Sequence, residues 1–466
     1  MNRQMSVDEG VSSLEGRAGH PIVRWAQLRA VGAALSVLAL TSACSPAASP
    51  VRTAAGSPAI APSPTAVASA AAKACAWSIA AAATAYSSND SGLVDTAAAY
   101  WLDLFQVAPG LRIVVSGTFP DARYASLQVY NGIGSPFVVN GVGSALPDYQ
   151  IAPDPGSVNP WQQQAAPGGH FTVTLREDVA PGQVNTLPLA PAATSSGRGL
   201  LEFRVYLPAG GDFSKVTPPA LTLEQGGRSQ TLAPCAPHTS PGTAPRSTRS
   251  SRPAPTPAAP SASAKTRVVG QLEFFKEAFA ALTPNTDTAY VLAYLVPPGP
   301  GNVVVIRAKA PTHPAGDHPS PWPAANEDVR YWSMCVGLAT EVLPTVMNPL
   351  PSGGIDAGCR ADDQTKLNAA GEYAYVLGTE AQRAAIESVA GATFLPFSAA
   401  QPGATHIPMF RVMLVNPSFA YSPQHVTQIN DPAATAAAMG PYYYYPRASI
   451  CALSSLTAGG VAGCTP

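Results

Sequence analysis

The same three motifs occur twice in this chain, in the same order and at the same spacing. The first copy has Val107-Ala-Pro-Gly110, then Arg112-Ile-Val-Val-Ser-Gly-Thr-Phe-Pro120, then Arg123-Tyr-Ala-Ser-Leu-Gln-Val129. The second has Val296-Pro-Pro-Gly299, Val303-Val-Val-Ile-Arg-Ala-Lys-Ala-Pro311 and Arg330-Tyr-Trp-Ser-Met-Cys-Val336. Phe-Arg-Val follows in each, and Phe203 lies 80 residues after Arg123 just as Phe410 lies 80 after Arg330. The offset breaks in one place, because 3 residues separate Pro120 from Arg123 and 19 separate Pro311 from Arg330. The second copy therefore carries a 16-residue insertion there, in 312–327, expected to project as a loop between two equivalent strands. Ordered motifs with a fixed spacing read as an internal duplication, whose unit is a fold that was copied whole.

The repeated pieces have the pattern of strands. Ile113-Val-Val and Val303-Val-Val-Ile are β-branched runs suited to a buried sheet. In Arg123–Val129, Ala125, Leu127 and Val129 share one face while Tyr124, Ser126 and Gln128 share the other. Phe171–Leu175 and Leu201–Leu207 alternate as well, and clusters such as Asp154-Pro-Gly-Ser-Val-Asn-Pro160 punctuate them. With 49 prolines and 39 glycines, a helical bundle is excluded. The expected fold is mainly β: two tandem, internally duplicated jelly-roll-like β-sandwiches. The second adds short helices. Leu272–Phe279 has near-helical apolar spacing, Thr379-Glu-Ala-Gln382 is a capping box, and Asp431-Pro432 opens an alanine run closed by Gly440.

Low-complexity stretches divide the chain. Arg24 and Arg29 precede an apolar run, Ala30–Leu40, that is too short to span a bilayer but suits a signal peptide. Thr41-Ser-Ala-Cys44 resembles a lipobox with its leucine one place early, so residues 1–44 read as a signal peptide with Cys44 lipidated; the alternative is an ordinary secretory signal. Residues 1–23, mixed in charge, read as an upstream extension or a misplaced start. The Ala/Pro/Ser/Thr-rich 45–72 reads as a disordered tether, 73–235 as the first sandwich, 236–267 as a basic Pro/Ser/Thr-rich linker, and 268–466 as the second. Setting Cys44 aside leaves six cysteines, an even number that fits disulfides in an oxidising compartment. Fifteen connectivities exist; position favours Cys75–Cys235, Cys335–Cys359 and Cys451–Cys464. The expected location is extracytoplasmic, held at the membrane through Cys44, or secreted.

The first segment, through Pro109-Gly110, Phe119-Pro-Asp-Ala-Arg-Tyr124, Val129-Tyr-Asn131, Asp148–Asp154, Gly156-Ser-Val-Asn-Pro160 and Tyr206-Leu-Pro208, resembles the domain-of-unknown-function family numbered 1214. The second, through Pro284-Asn-Thr-Asp-Thr288, Arg330-Tyr-Trp-Ser333 and Ala361-Asp-Asp-Gln364, is similar to uncharacterised exported actinobacterial proteins. The resemblance implies a jelly-roll-like sandwich and brings no activity with it.

The chain has no G-x-S-x-G, H-E-x-x-H, P-loop or Rossmann glycine pattern. A net charge of −1 gives no chain-wide case for nucleic acid. No cofactor is implied, and His313-x-x-x-Asp317-His318 in a Pro-rich loop is a poor metal cage. The repeated arginines are the leading candidates for a site. Arg123 shares parity with Ala125, and Arg330 with Trp332, so each needs a carboxylate or carbonyl partner. Asp148 or Asp154 is expected to serve Arg123, and Asp362 or Asp363 to serve Arg330, either as structural pairs or as an anion site at a sandwich mouth. Trp322, Trp332 and Tyr442–Tyr445 are a candidate stacking platform for a sugar or an apolar ligand, although core packing explains Trp332 better and the tyrosine run equally fits as cover for the sandwich. The favoured function is a noncatalytic envelope interaction module, with a cell-envelope polymer, glycan or protein as partner. A hydrolase-like enzyme with an Arg/Asp site and a structural spacer remain open beside it.

Overall fold

β-branched and alternating segments pair into sheets wherever the sequence repeats. The computed structural model describes residues 73–82, 92–191, 197–235, 272–277, 283–340 and 343–464. Residues 1–72, with Cys44 and the proposed signal and tether, lie outside the described residues, as does the linker at 236–267. All described residues belong to one compact unit, Ala70–Pro466.

The first sandwich is built from β1 (Ile79–Ala82), β2 (Ala98–Gln106), β3 (Arg112–Thr118), β4 (Ala122–Asn131), β5 (Val138–Val139), β6 (Val142–Gly143), β7 (Ala145–Pro147), β8 (His170–Arg176), β9 (Thr186–Pro188), β10 (Arg198–Pro208), β11 (Ala220–Gln225) and β12 (Arg228–Leu232). The second has β13 (Phe275–Lys276), β14 (Thr288–Leu292), β15 (Asn302–Lys309), β16 (Val329–Leu338), β17 (Met347–Pro349), β18 (Ile355–Ala357), β19 (Cys359–Ala361), β20 (Glu372–Gly378), β21 (Ala392–Pro396), β22 (His406–Val415) and β23 (Arg447–Ala452).

Strand order proves the duplication. One sheet runs β1-β2-β10-β4-β7 and its counterpart β13-β14-β22-β16-β19. The other runs β12-β11-β3-β8-β9, matched by β23-β15-β20-β21. Each strand of the second sandwich thus repeats the one twelve places earlier, including the parallel pairs β8–β9 and β20–β21 and the small hairpins β5–β6 and β17–β18. Register agrees too. Arg204 on β10 stands opposite Ser126 and Tyr100, and Arg411 on β22 stands opposite Ser333 and Tyr290. β12 alone has no partner in the second copy; there α3 (Leu453–Gly459) follows β23 instead.

Between the sheets of the first sandwich pack Ile113, Val115, Leu127, Val129, Phe171, Leu201, Phe203 and Trp161. The equivalent core holds Val304, Ile306, Trp332, Met334, Tyr375, Phe410 and Val412. A further cluster, Val303, Val305, Val376, Phe394 and Leu456, forms where α1 (Arg383–Glu387) and α3 cover part of the outer face of the second sandwich. The helix signals at 379 and 431 hold. Gln382 accepts from the Thr379 amide at 2.9 Å, and Asp431 caps α2 (Pro432–Met439) through the amides of Ala433 and Ala434. The near-helical spacing after Leu272 does not make a helix in the described part. Leu272 bridges Ala448 while Phe275 and Lys276 pair with β14, so this segment crosses from one sheet edge to the other, and edge pairing outweighs local periodicity.

The three disulfides are Cys75–Cys235, Cys335–Cys359 and Cys451–Cys464. The first closes a loop of 160 residues and ties the start of the first sandwich to its end. Substituting both Cys75 and Cys235 by serine is expected to destabilise this sandwich by up to ~5 kcal/mol in the chain-entropy account. Urea unfolding followed by tryptophan fluorescence, with non-reducing peptide mapping of the parent, checks it; an unchanged midpoint contradicts the assignment.

Candidate functional site

In β4 and β16 nearly every residue is buried on both faces. One face of each fills its own sandwich. The other carries Tyr124, Ser126, Gln128 and Tyr130, or Tyr331, Ser333 and Cys335, and is covered by the opposite sandwich. Tyr124, Tyr206, Tyr331, Met413 and Leu414 form one apolar cluster drawn from both halves. The seam between the halves is therefore rich in polar and aromatic groups shut away from water.

The repeated arginines lie at its end, and their partners are crossed. Arg123 donates to Asp362 Oδ1 at 2.6 Å and to the Gly316 carbonyl at 2.7 Å. Arg330 donates to the Arg123 carbonyl at 2.9 Å and to Asp148 at 3.4 Å. All four side chains are completely buried. Within-sandwich pairing was the expectation, and the structure corrects it: each arginine meets the carboxylate of the other copy. Asp148 and Asp362 open equivalent 3₁₀ turns, Asp148–Gln150 and Asp362–Gln364, just after the edge strands β7 and β19. Their second acceptor bonds are equivalent as well, from the amides of Ala125 and Trp332. Asp154 lies away from the seam, accepting from Thr172 Oγ1 at 3.0 Å. Asp363 is exposed. Trp322 is buried; the Arg330 guanidinium sits 5.0 Å above its ring, and its amide donates to the Trp161 carbonyl. It offers no open face to a sugar.

Other contacts are reciprocated across the same approximate two-fold relation, as in an isologous interface. Arg204 reaches the carbonyl of Thr283 and Arg411 that of Leu93. Tyr331 donates to Asp95 at 2.9 Å, and in the equivalent place the Asn285 side-chain amide donates to the Tyr124 hydroxyl at 3.3 Å, Tyr124 itself donating to Asp287 at 2.6 Å. The insertion breaks the symmetry. It does lie between β15 and β16, but it is laid against the first sandwich and does not project. Asp317 accepts from the Gly210 amide, His318 meets Asp121 at 2.7 Å, and Gly316 and Trp322 bind as above. His313 faces away from that pair, 3.7 Å from Asp362, so the three residues do not converge on one point. Asp95, Cys335 and Cys359 do converge, but the two sulfurs are bonded to each other.

Burial dominates the electrostatics. It pushes Asp148 up to about 6 despite Arg330, and lowers Arg330 despite Asp148. Asp362, Asp287 and Glu202 are raised for the same reason. Asp95, Asp287 and the seam tyrosines were assigned no role by sequence reasoning. Their signal was present in the polar face of Arg123–Val129, which an isolated sandwich would have left in water.

This arrangement defines a duplicated two-sandwich β protein whose halves mate like the subunits of a dimer. No family model matches the chain, and no curated protein does. Among solved structures it is similar to an uncharacterised protein from Burkholderia cenocepacia, at 14% identity over 79% of each chain with a TM-score of 0.43. It is also similar to a protein from Vibrio parahaemolyticus, at 12% identity over 77% of this chain and 90% of that one with a TM-score of 0.34.

Two expectations follow for the seam. Arg123→Ala leaves Asp362 buried without its guanidinium, with only His313 at 3.7 Å as a neighbouring cation among the described residues. This costs ~3–5 kcal/mol, whereas Arg123→Met with Asp362→Leu costs much less; denaturant titration of the three proteins decides. The second concerns pH. A carboxyl raised from 3.8 to about 6 takes up its proton more readily folded than unfolded. Its contribution is full below the unfolded value and fades as pH rises through about 6. The unfolding free energy should therefore rise as pH falls from 7.5 to 5, by ~1.4 kcal/mol from Asp148, and Asp148→Asn should flatten that slope. A midpoint falling over this range contradicts the reading.

Proposed function

We propose that this protein is an exported, lipid-anchored component of the cell envelope that acts as a noncatalytic interaction module. The observation that carries this reading is the seam itself. The arginines and carboxylates best suited to chemistry are fully buried and hold one sandwich against the other. An enzyme of the Arg/Asp type requires these groups to reach a substrate, and here they reach each other. Three disulfides suit an oxidising compartment. The basic and apolar run ending at Cys44, followed by an uncharged-rich tether, suits a rigid body displayed from a membrane. Two acyl chains on one cysteine give the stable anchoring that a single chain does not.

Mass spectrometry of the membrane fraction is expected to find a mature chain that begins at diacylglyceryl-modified Cys44. Cys44→Ala should move the protein out of the membrane fraction. Cleavage elsewhere, with Cys44 unmodified, refutes the anchor and leaves the secreted form.

A further inference from the structure

On β15 the side chains of Val303, Val305, Arg307 and Lys309 share the outer face of the second sandwich, since Val304, Ile306 and Ala308 fill its core. α1 and α3 cover the valines and stop there. Arg307 and Lys309 continue beyond this cover, and sheet register sets Arg447 of β23 directly opposite Arg307. Two like charges facing each other across a strand pair oppose folding. Partial burial first, and Arg447 second, lower the Arg307 pKa, and the attraction of Glu372 offsets them only in part. Neither arginine has a carboxylate within salt-bridge distance among the described residues. The acid nearest in register, Glu372 opposite Lys309, accepts from Asn368 at 2.8 Å.

This cationic row runs directly into an aromatic one. Lys309 Nζ lies 6.0 Å from the ring of Tyr444. Tyr444 stacks on Tyr421 at 5.6 Å and 25°, and Tyr421 lies against Tyr443 at 6.0 Å and 32°. Phe419 supports Tyr444 edge-on from beneath. Tyr421 and Tyr443, tilted by 32° to one another, are 44% and 57% exposed. Tyrosine rings of this kind offer an apolar face to the C–H groups of a pyranose and a hydroxyl to its rim. Paired guanidinia offer forked donors to a carboxylate.

We infer that Arg307, Arg447 and Lys309, continued by Tyr421, Tyr443 and Tyr444, form a binding site for a carboxylate-bearing glycan. The glycan acid sits between the two arginines and offsets their repulsion, and its neighbouring sugar rings lie on the tyrosines. Stacked rings beside cations also suit single-stranded nucleic acid. Only three cations line this face, however, and the whole chain is at −1, so a glycan carrying one charge per ring is the better match. This inference deepens the envelope reading by naming a partner class, yet its test is made in solution and does not depend on where the protein resides.

The test is calorimetric titration of the full-length protein with polygalacturonate, neutral dextran and oligothymidylate. Binding of polygalacturonate, at least tenfold tighter than dextran and tighter than oligothymidylate, is expected. Arg307→Gln with Arg447→Gln should weaken it at least tenfold while leaving the unfolding midpoint unchanged or higher, because a repulsive pair has been removed. Tyr421→Ala with Tyr443→Ala should weaken it similarly, and Tyr421→Phe should retain it. Should the arginine double variant misfold, Arg447→Gln alone gives the same comparison. Absence of polygalacturonate binding, equal affinity for dextran, tighter binding of oligothymidylate, or variants that bind like the parent would each overturn the inference.

Discussion

The crossed pairs Arg123–Asp362 and Arg330–Asp148 are the constraint on which the arrangement of the two halves depends. Four ionisable side chains stand entirely out of water, and each has its opposite charge in the other sandwich. Such burial is tolerable only while both halves are present and in register, because removing either leaves a bare charge in a medium that solvates it poorly. The two contacts are not equally strong. Arg123 makes a 2.6 Å bond to a carboxylate that also has His313 nearby, whereas Arg330 approaches Asp148 no closer than 3.4 Å and stacks on Trp322 instead. Burial outweighs the attraction of Arg330 at Asp148 and pushes its carboxyl up to about 6, and it raises Asp362 as well.

Much of this was legible from the chain alone, and the reason is repetition. Two copies of one pattern located the strands, equated Arg123 with Arg330 and Arg204 with Arg411, and placed the insertion between the correct strands. Cysteine positions relative to the repeat gave the disulfides. Repetition also caused the chief error. A carboxylate equivalent to Asp148 exists in each copy, so an inward arginine has two candidates, and alternation along a strand cannot tell its own copy from the other. The polar faces of β4 and β16 held the answer, because they read as solvent-facing for one sandwich and become the seam when a second covers them. Leu272–Glu277 misled for a different reason: in a segment this short, the open edges of two sheets outweigh a partial apolar period.

Differences between the copies are as informative as their likeness. The insertion became a strap that binds one half to the other through Gly316, Asp317 and Trp322. The place of β12 was taken by α3, which with α1 covers half of an outer face and leaves Arg307, Arg447 and Lys309 beyond its margin. Sequence inspection could not single out that arginine pair, since residues 140 positions apart become neighbours only through the register of β15 and β23.

Because the halves belong to one polypeptide, a change at the seam is made once. In a true two-fold assembly every substitution near the axis recurs in the partner, so a new charge there meets its own copy. Here Asp95 stands where the other half has Asn285, and the Cys335–Cys359 bond stands where the other half has Gln128 and Ala145. Covalent fusion has relaxed symmetry's veto: one half is free to acquire an outward-facing surface of its own while the other keeps the shared joint intact.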